Sequence, residues 1–167
     1  GRSELSSAKV KILKDIQVLA ESNQSKIEYI QSDITNEASL QSLIRTIQSE
    51  YGTLTGIIHA AGIIKDNFIL KKSLEEFTSV LSPKVQGTIN LDELTKDINL
   101  DFFVLFSSVA GAFGNLGQAD YATGNAFMDT FAFQRNKQVN EQQRHGKTVS
   151  INWPLWKEGG MKIDATS

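Results

Sequence analysis

Three short apolar runs of strand character, at residues 56–61, 101–107 and 148–153, are separated by long stretches whose apolar residues recur at helical spacing. Strands separated by helices cannot be joined as tight hairpins and must pair in parallel through crossover connections. Right-handed crossovers then predict an α/β fold, a Rossmann-like, doubly wound parallel sheet with helices on both faces. The 167 residues, 40% of them hydrophobic, read as a single domain with enough apolar side chains for a real core.

The remaining elements follow from local signals. Ser6 or Ser7 caps a helix to about residue 22, with Val10, Leu13, Ile16 and Ala20 expected on its buried face. Residues 26–33 read as a further strand. Thr35 or Asn36 opens a second helix with Leu40, Leu43, Ile44, Ile47 and Tyr51 in phase, closed by Gly52. A long helical region covers 73–95, and Pro83 should kink or divide it. A glycine-rich loop over 111–117 leads into a helix carrying Tyr121. Lys71-Lys72 and Glu75-Glu76 read as solvated helix positions, and His59 as a satisfied, half-buried histidine. Trp153 and Trp156 read as packing residues, and Phe127, Met128, Phe131 and Phe133 as core or interface.

Composition narrows the function. A net charge of -2 leaves no electrostatic footprint for nucleic acid or anionic membrane. No apolar run approaches the ~20 residues of a membrane helix. The absence of cysteine excludes disulfides and thiolate metal sites and suits a reducing, cytoplasmic location. With only two histidines, no histidine-rich metal centre is expected.

In parallel sheets ligands bind beyond the carboxyl ends of the strands. Asp33, Ala61, Ser108 and Trp153 fall at those ends. Ser108 closes an apolar strand, Tyr121 follows thirteen residues later, and Asn125 stands one helical turn beyond Tyr121. A carbonyl accepting hydride develops negative charge on oxygen and needs a hydrogen-bond donor and a proton source. Ser108 and Tyr121 can supply these. A free phenol titrates near ~10, so a nearby cation is needed to bring it toward neutrality. Asn125 carries no charge, so the cation must come from elsewhere in the fold.

These residues, with Gly1-Arg2-Ser3, Asp33-Ile34-Thr35, His59-Ala60-Ala61-Gly62, Lys84-Val85-Gln86-Gly87-Thr88 and Asn152-Trp153-Pro154-Leu155-Trp156, resemble the ketoreductase domain of modular polyketide synthases. That family is a branch of the short-chain dehydrogenase/reductase superfamily. Most of the superfamily places lysine four residues after the tyrosine. Polyketide ketoreductases place asparagine there and draw the lysine from the preceding long helix, as Asn125 and Lys84 do here. A free-standing reductase or nucleotide-sugar epimerase is disfavoured by Asn125, whereas a fatty acid synthase reductase shares the exchange.

The resemblance implies NADPH-dependent reduction of a β-ketoacyl thioester carried by an acyl carrier protein. Ser108 and Tyr121 would bind the keto oxygen, Tyr121 would donate the proton, Lys84 would tune it, and Asn125 would hold the lysine or a water. Arg2, with Ser3, would meet the 2′-phosphate, while Asp33 and Ile34 would flank adenine. Ala60, Ala61 and Gly62 would let the cofactor approach backbone, and Pro154 and Leu155 would line the nicotinamide. Asp66 keeps the last residue of a Leu-Asp-Asp motif, and Phe113 stands where members of opposite outcome carry tryptophan. Together these imply B-type, D-hydroxy stereochemistry.

One departure stands out. The family's first strand and glycine-rich phosphate loop precede the Gly-Arg-Ser segment at which this chain begins, so the sheet is expected to be incomplete. The chain then reads as the C-terminal catalytic portion of a ketoreductase, needing the missing N-terminal segment and flanked by neighbouring synthase domains. By itself it is expected to be inactive. A structural remnant without turnover is the rival reading. Substrate-selecting contacts are expected from a lid beyond Trp156.

Overall fold

The computed structural model describes residues 1–156, which pack as two compact units, Gly1–Thr53 and the part from Leu54 onward. The first unit holds two helices. Helix α1, Ser7–Ser22, starts at Ser6, whose hydroxyl accepts from Lys9 N–H, and α2, Glu37–Tyr51, starts at Asn36, whose side chain accepts from Ser39 N–H. Gly52 ends α2 at φ 81°, a conformation in which a side chain would be strained. Leu40 and Ile44 form the buried face of α2 as its spacing requires.

Two expectations fail in this unit. Of the stripe Val10, Leu13, Ile16 and Ala20, only Ala20 is buried, while Val10 and Ile16 are exposed. The unit contains no paired sheet for that stripe to cover. Residues 26–33 are not a strand either. A strand exists only through a ladder, and the neighbour of this segment is the short stretch from Gly1 to Ser3. Ser32 N–H donates to Gly1 O at 2.8 Å, Gly1 N to Ile30 O at 3.1 Å, and Gln31 Nε2 to Arg2 O at 3.1 Å.

The second unit is an all-parallel three-stranded sheet in the order β1-β2-β3, from β1, Gly56–His59, β2, Phe102–Ser108, and β3, Lys147–Trp153. The α/β, Rossmann-like expectation holds. Helices α3, Leu74–Lys84, and α4, Gln86–Leu94, connect β1 to β2. The break expected near Pro83 falls at Val85, just beyond it, so the proline occupies the last turn of α3. Ser73 and Glu76 start α3 with a reciprocal capping box.

Two helices also join β2 to β3. The segment expected to be a glycine-rich loop instead opens with α5, Val109–Phe113, because the Ser108 hydroxyl caps it by accepting from Ala110 N–H at 3.2 Å. Gly114 and Gly117 follow at φ 73° and 75°, and α6, Ala119–Asn140, carries Tyr121.

Alternate residues of β2, Phe103, Leu105 and Ser107, point into a core completed by Ile57, Leu100, Met128 and Ala132. On the opposite face Ile58, Val104 and Val149 lie in register across the three strands, with Ile58 61% and Val149 41% exposed. At the amino ends of the strands Arg135, 1% exposed, donates to Asp92, Thr148 Oγ1, and the carbonyls of Gly146 and His145. This buried cation is paired, and each of its three nitrogens donates a hydrogen bond, as burial demands. Among the described residues no helix is long and apolar enough to cross a membrane, and no group of metal-ligating side chains gathers.

Candidate active site

Lys84 ends α3 with only 4% of its surface exposed. Its ammonium donates to Phe106 O at 3.1 Å and to Met128 Sδ at 3.6 Å, and stands 5.6 Å from the centre of the Tyr121 ring. Burial lowers the Lys84 pKa to about 8, an effect the charge of Asp129 partly opposes. The close approach depends on two glycines. A Cβ on Gly124 would meet Lys84 Cβ and Cδ at 3.3 Å, and one on Gly62 would meet Cε at 3.2 Å.

Tyr121 and Asn125 are both buried on α6. Asn125 Nδ2 donates to Tyr121 O at 2.7 Å, while Asn125 Oδ1 is buried without a partner among the described residues. Ser107 Oγ donates to Asn125 O at 3.2 Å, which ties the end of β2 to this turn of α6. Ser108 comes next, and Ala110, which it caps, packs with Val80 against Tyr121. Lys84, Ser108, Tyr121 and Asn125 therefore share one neighbourhood at the carboxyl end of the sheet.

His59 is more enclosed than expected, at 3% exposure. Nε2 faces the Pro83 carbonyl at 3.1 Å and so carries the proton, leaving Nδ1 to accept from Ala61 N–H at 3.4 Å. Burial, and then the charge of Lys84, lower its pKa to about 4. The neighbourhood thus holds a neutral imidazole beside its buried ammonium.

The other predicted residues are spread more widely. Ala60, Ala61 and Gly62 follow β1 and are exposed, as are Pro154 and Leu155 after β3. Small side chains and open backbone there fit a flat ring lying against the strand ends. Asp66 accepts from Gln118 Nε2 at 2.8 Å, at the start of the Tyr121 helix. Phe113 ends α5 and is 88% exposed. In the Gly1–Thr53 unit, Arg2 is exposed, the Ser3 carbonyl accepts from the Tyr29 hydroxyl, and Ile34 is half-buried. Asp33 makes an Asx turn, with Oδ1 accepting from Thr35 N–H at 2.9 Å and Oγ1 at 2.8 Å. The Thr35 amide holds its carboxyl below the usual range, with a smaller contribution from the charge of Arg2. The lid expected beyond Trp156 lies outside the described residues.

Sequence reasoning misplaced one residue here. Lys72 was expected on a solvated face, but its side chain is 1% exposed and paired with Asp120, whose side chain is equally buried. That partner lies 48 residues away, beyond the reach of local charge patterning. The pairing packs the ammonium inside and leaves its backbone nearer the surface.

An α/β domain with lysine, serine, tyrosine and asparagine gathered at the strand ends has the architecture of a short-chain reductase. The family model described as KR domain matches residues 1–158. Over 99% of its length the chain is 54% identical to polyketide synthase PksL of Bacillus subtilis (strain 168), covering 4% of that protein. Polyketide synthase PksN of the same organism is 49% identical over 98% of the chain and is covered to 3%. A solved ketoreductase domain from the bacillaene assembly line superposes with a TM-score of 0.92 at 47% identity, covering 99% of this chain and 39% of that one. The chain belongs to the KR-domain family, the ketoreductases of polyketide synthases.

Proposed function

We propose that this chain carries the catalytic residues for NADPH-dependent reduction of a β-ketoacyl thioester on an acyl carrier protein, in a cytoplasmic synthase. The observation carrying the reading is the Lys84 ammonium, buried 5.6 Å from the Tyr121 ring although it comes from a different helix. A buried cation beside a phenol steadies the negative charge left on its oxygen once the proton has passed to substrate. NADPH, held by the residues named below, would supply the hydride. Ser108 donates a hydrogen bond to the carbonyl oxygen as charge develops there, and Tyr121 delivers the proton. Asn125 Oδ1 has no donor among the described residues, and Lys84 has a proton not committed to Phe106 or Met128, so both groups would be available to a relay that reprotonates Tyr121.

For the cofactor, Ala60, Ala61, Gly62, Pro154 and Leu155 would line the nicotinamide side, and Arg2, Ser3, Asp33 and Ile34 the adenosine side. The guanidinium of Arg2 suits a 2′-phosphate. B-type, D-hydroxy stereochemistry is supported by Asp66, anchored to Gln118, and by phenylalanine at position 113. The test is NADPH oxidation with a β-ketoacyl thioester. It is run on this chain and on a longer polypeptide carrying a strand and phosphate-binding loop ahead of Gly1, each beside its Tyr121→Phe variant. Turnover abolished by Tyr121→Phe is expected from the longer protein. Silence from both proteins would sink the catalytic reading in favour of a structural role.

A further inference from the structure

The loop bearing Asp66 is stapled to the start of the Tyr121 helix at three points. Asn67 N–H donates to Gly117 O at 2.9 Å, and Gln118 Nε2 donates to Asp66 Oδ2 at 2.8 Å. The third point is the ion pair of Lys72 and Asp120, both side chains 1% exposed. The same Lys72 ammonium donates to Lys65 O at 2.6 Å, immediately before Asp66. The other oxygen of Asp120 accepts Tyr121 N–H at 2.9 Å. One buried carboxylate therefore touches the backbone of the proton donor, and one buried ammonium touches the backbone beside Asp66.

A buried ion pair is a poor source of stability, because desolvating both charges offsets most of their attraction. An apolar pair of similar volume would hold the loop as firmly but would slide. Charges with few alternative partners fix a register instead. We propose that Lys72 and Asp120 are positioning residues that lock the Asp66 loop in register with Tyr121, and so set which face of the bound ketone is presented for reduction. This rests on the ketoreductase reading above. Neither residue touches the reacting atoms. Their effect passes through Asp66 and through the first turn of α6.

The test uses the longer, cofactor-competent polypeptide, a racemic α-methyl β-ketoacyl thioester, and chiral analysis of the product alcohols. The double variant Lys72→Met/Asp120→Asn leaves no orphaned charge and keeps an acceptor for Tyr121 N–H, so it is the variant expected to fold. The ratio of major to minor alcohols should fall about tenfold and KM should rise, since small misplacements at a reacting centre are costly. Hydrogen exchange over residues 65–72 should quicken, with β2 unchanged. The conservative single variant Lys72→Arg, which keeps a cation opposite Asp120, should keep the wild-type ratio. A folded double variant with unchanged product ratio and KM would overturn the proposal, even if its melting temperature fell, because that outcome marks a purely structural pair. Failure of the wild-type protein to reduce the thioester would instead overturn the ketoreductase reading on which it rests.

Discussion

Replacing Lys84 with methionine should make the protein more stable at neutral pH while abolishing turnover. The lysine is 4% exposed, and its pKa falls from 10.5 to about 8. That lowering means burial disfavours the charged form by about 3 kcal/mol. Methionine fills similar volume without the charge but leaves Phe106 O without the 3.1 Å bond it accepts, a loss of about 1–2 kcal/mol. The net expectation is a gain of about 1–2 kcal/mol at pH 7.

The pH dependence identifies the cause. Below about 8 both folded and unfolded states hold the lysine proton, so the whole penalty is present. Between about 8 and 10.5 the unfolded chain binds more protons than the folded one, and wild-type stability rises with pH. The variant lacks this group, so its advantage should shrink by about 2 kcal/mol between pH 7 and pH ~9.5. Urea unfolding at several pH values measures this, followed by fluorescence of Trp153, whose ring lies 5.5 Å from that of Phe106. A Lys84→Met protein less stable than wild type at pH 7, or a difference flat in pH, would refute the reasoning.

Two further outcomes are expected. His59 is held neutral with a pKa of about 4, below its ordinary 6.5, so protonation favours the unfolded chain as pH falls between these values. About 3 kcal/mol should be lost by pH ~4, and His59→Asn, which can still donate toward Pro83 O, should flatten this acid limb in urea titrations. Gly111→Ala would push a methyl to 2.9 Å from Asn125 Cβ and 3.0 Å from Ala126 N. It should cost about 1–3 kcal/mol in thermal unfolding and lower kcat by displacing the α6 turn that holds Asn125.

Much of the candidate site was legible because its signals are local or carried by matching motifs. The apolar strand ending at Ser108, the turn from Tyr121 to Asn125 and the lysine after Pro83 need only their neighbours to be recognised. The strand expected at 26–33 could not be judged this way, since a strand needs a partner to form a ladder, and the stretch from Gly1 to Ser3 that lies against this segment bonds it without one. The buried face of α1 failed for a related reason. A helical stripe reports that something should cover it, and the unit from Gly1 to Thr53 supplies no sheet to do so. Helix α5 was hidden by Gly111 and by the glycines that follow the helix, which suggested a loop although Ser108 caps a helical turn. Lys72 was missed because adjacent lysines near a helix start look solvated until Asp120, far along the chain, folds against one of them.

The placement of Lys84 and Tyr121 on separate helices has a mechanical consequence. A cation one turn along the same helix would be spaced from the phenol by helical pitch, which no distant substitution can change. Here the separation depends on how closely α3 lies against α6, where a Cβ on Gly124 would already crowd Lys84 Cβ and Cδ at 3.3 Å. On the ketoreductase reading, the Lys84–Tyr121 pair would therefore be coupled to the elasticity of an interhelical joint. Residues that never approach a substrate, but alter the seating of those two helices by tenths of an ångström, would then act as tuning screws for the rate.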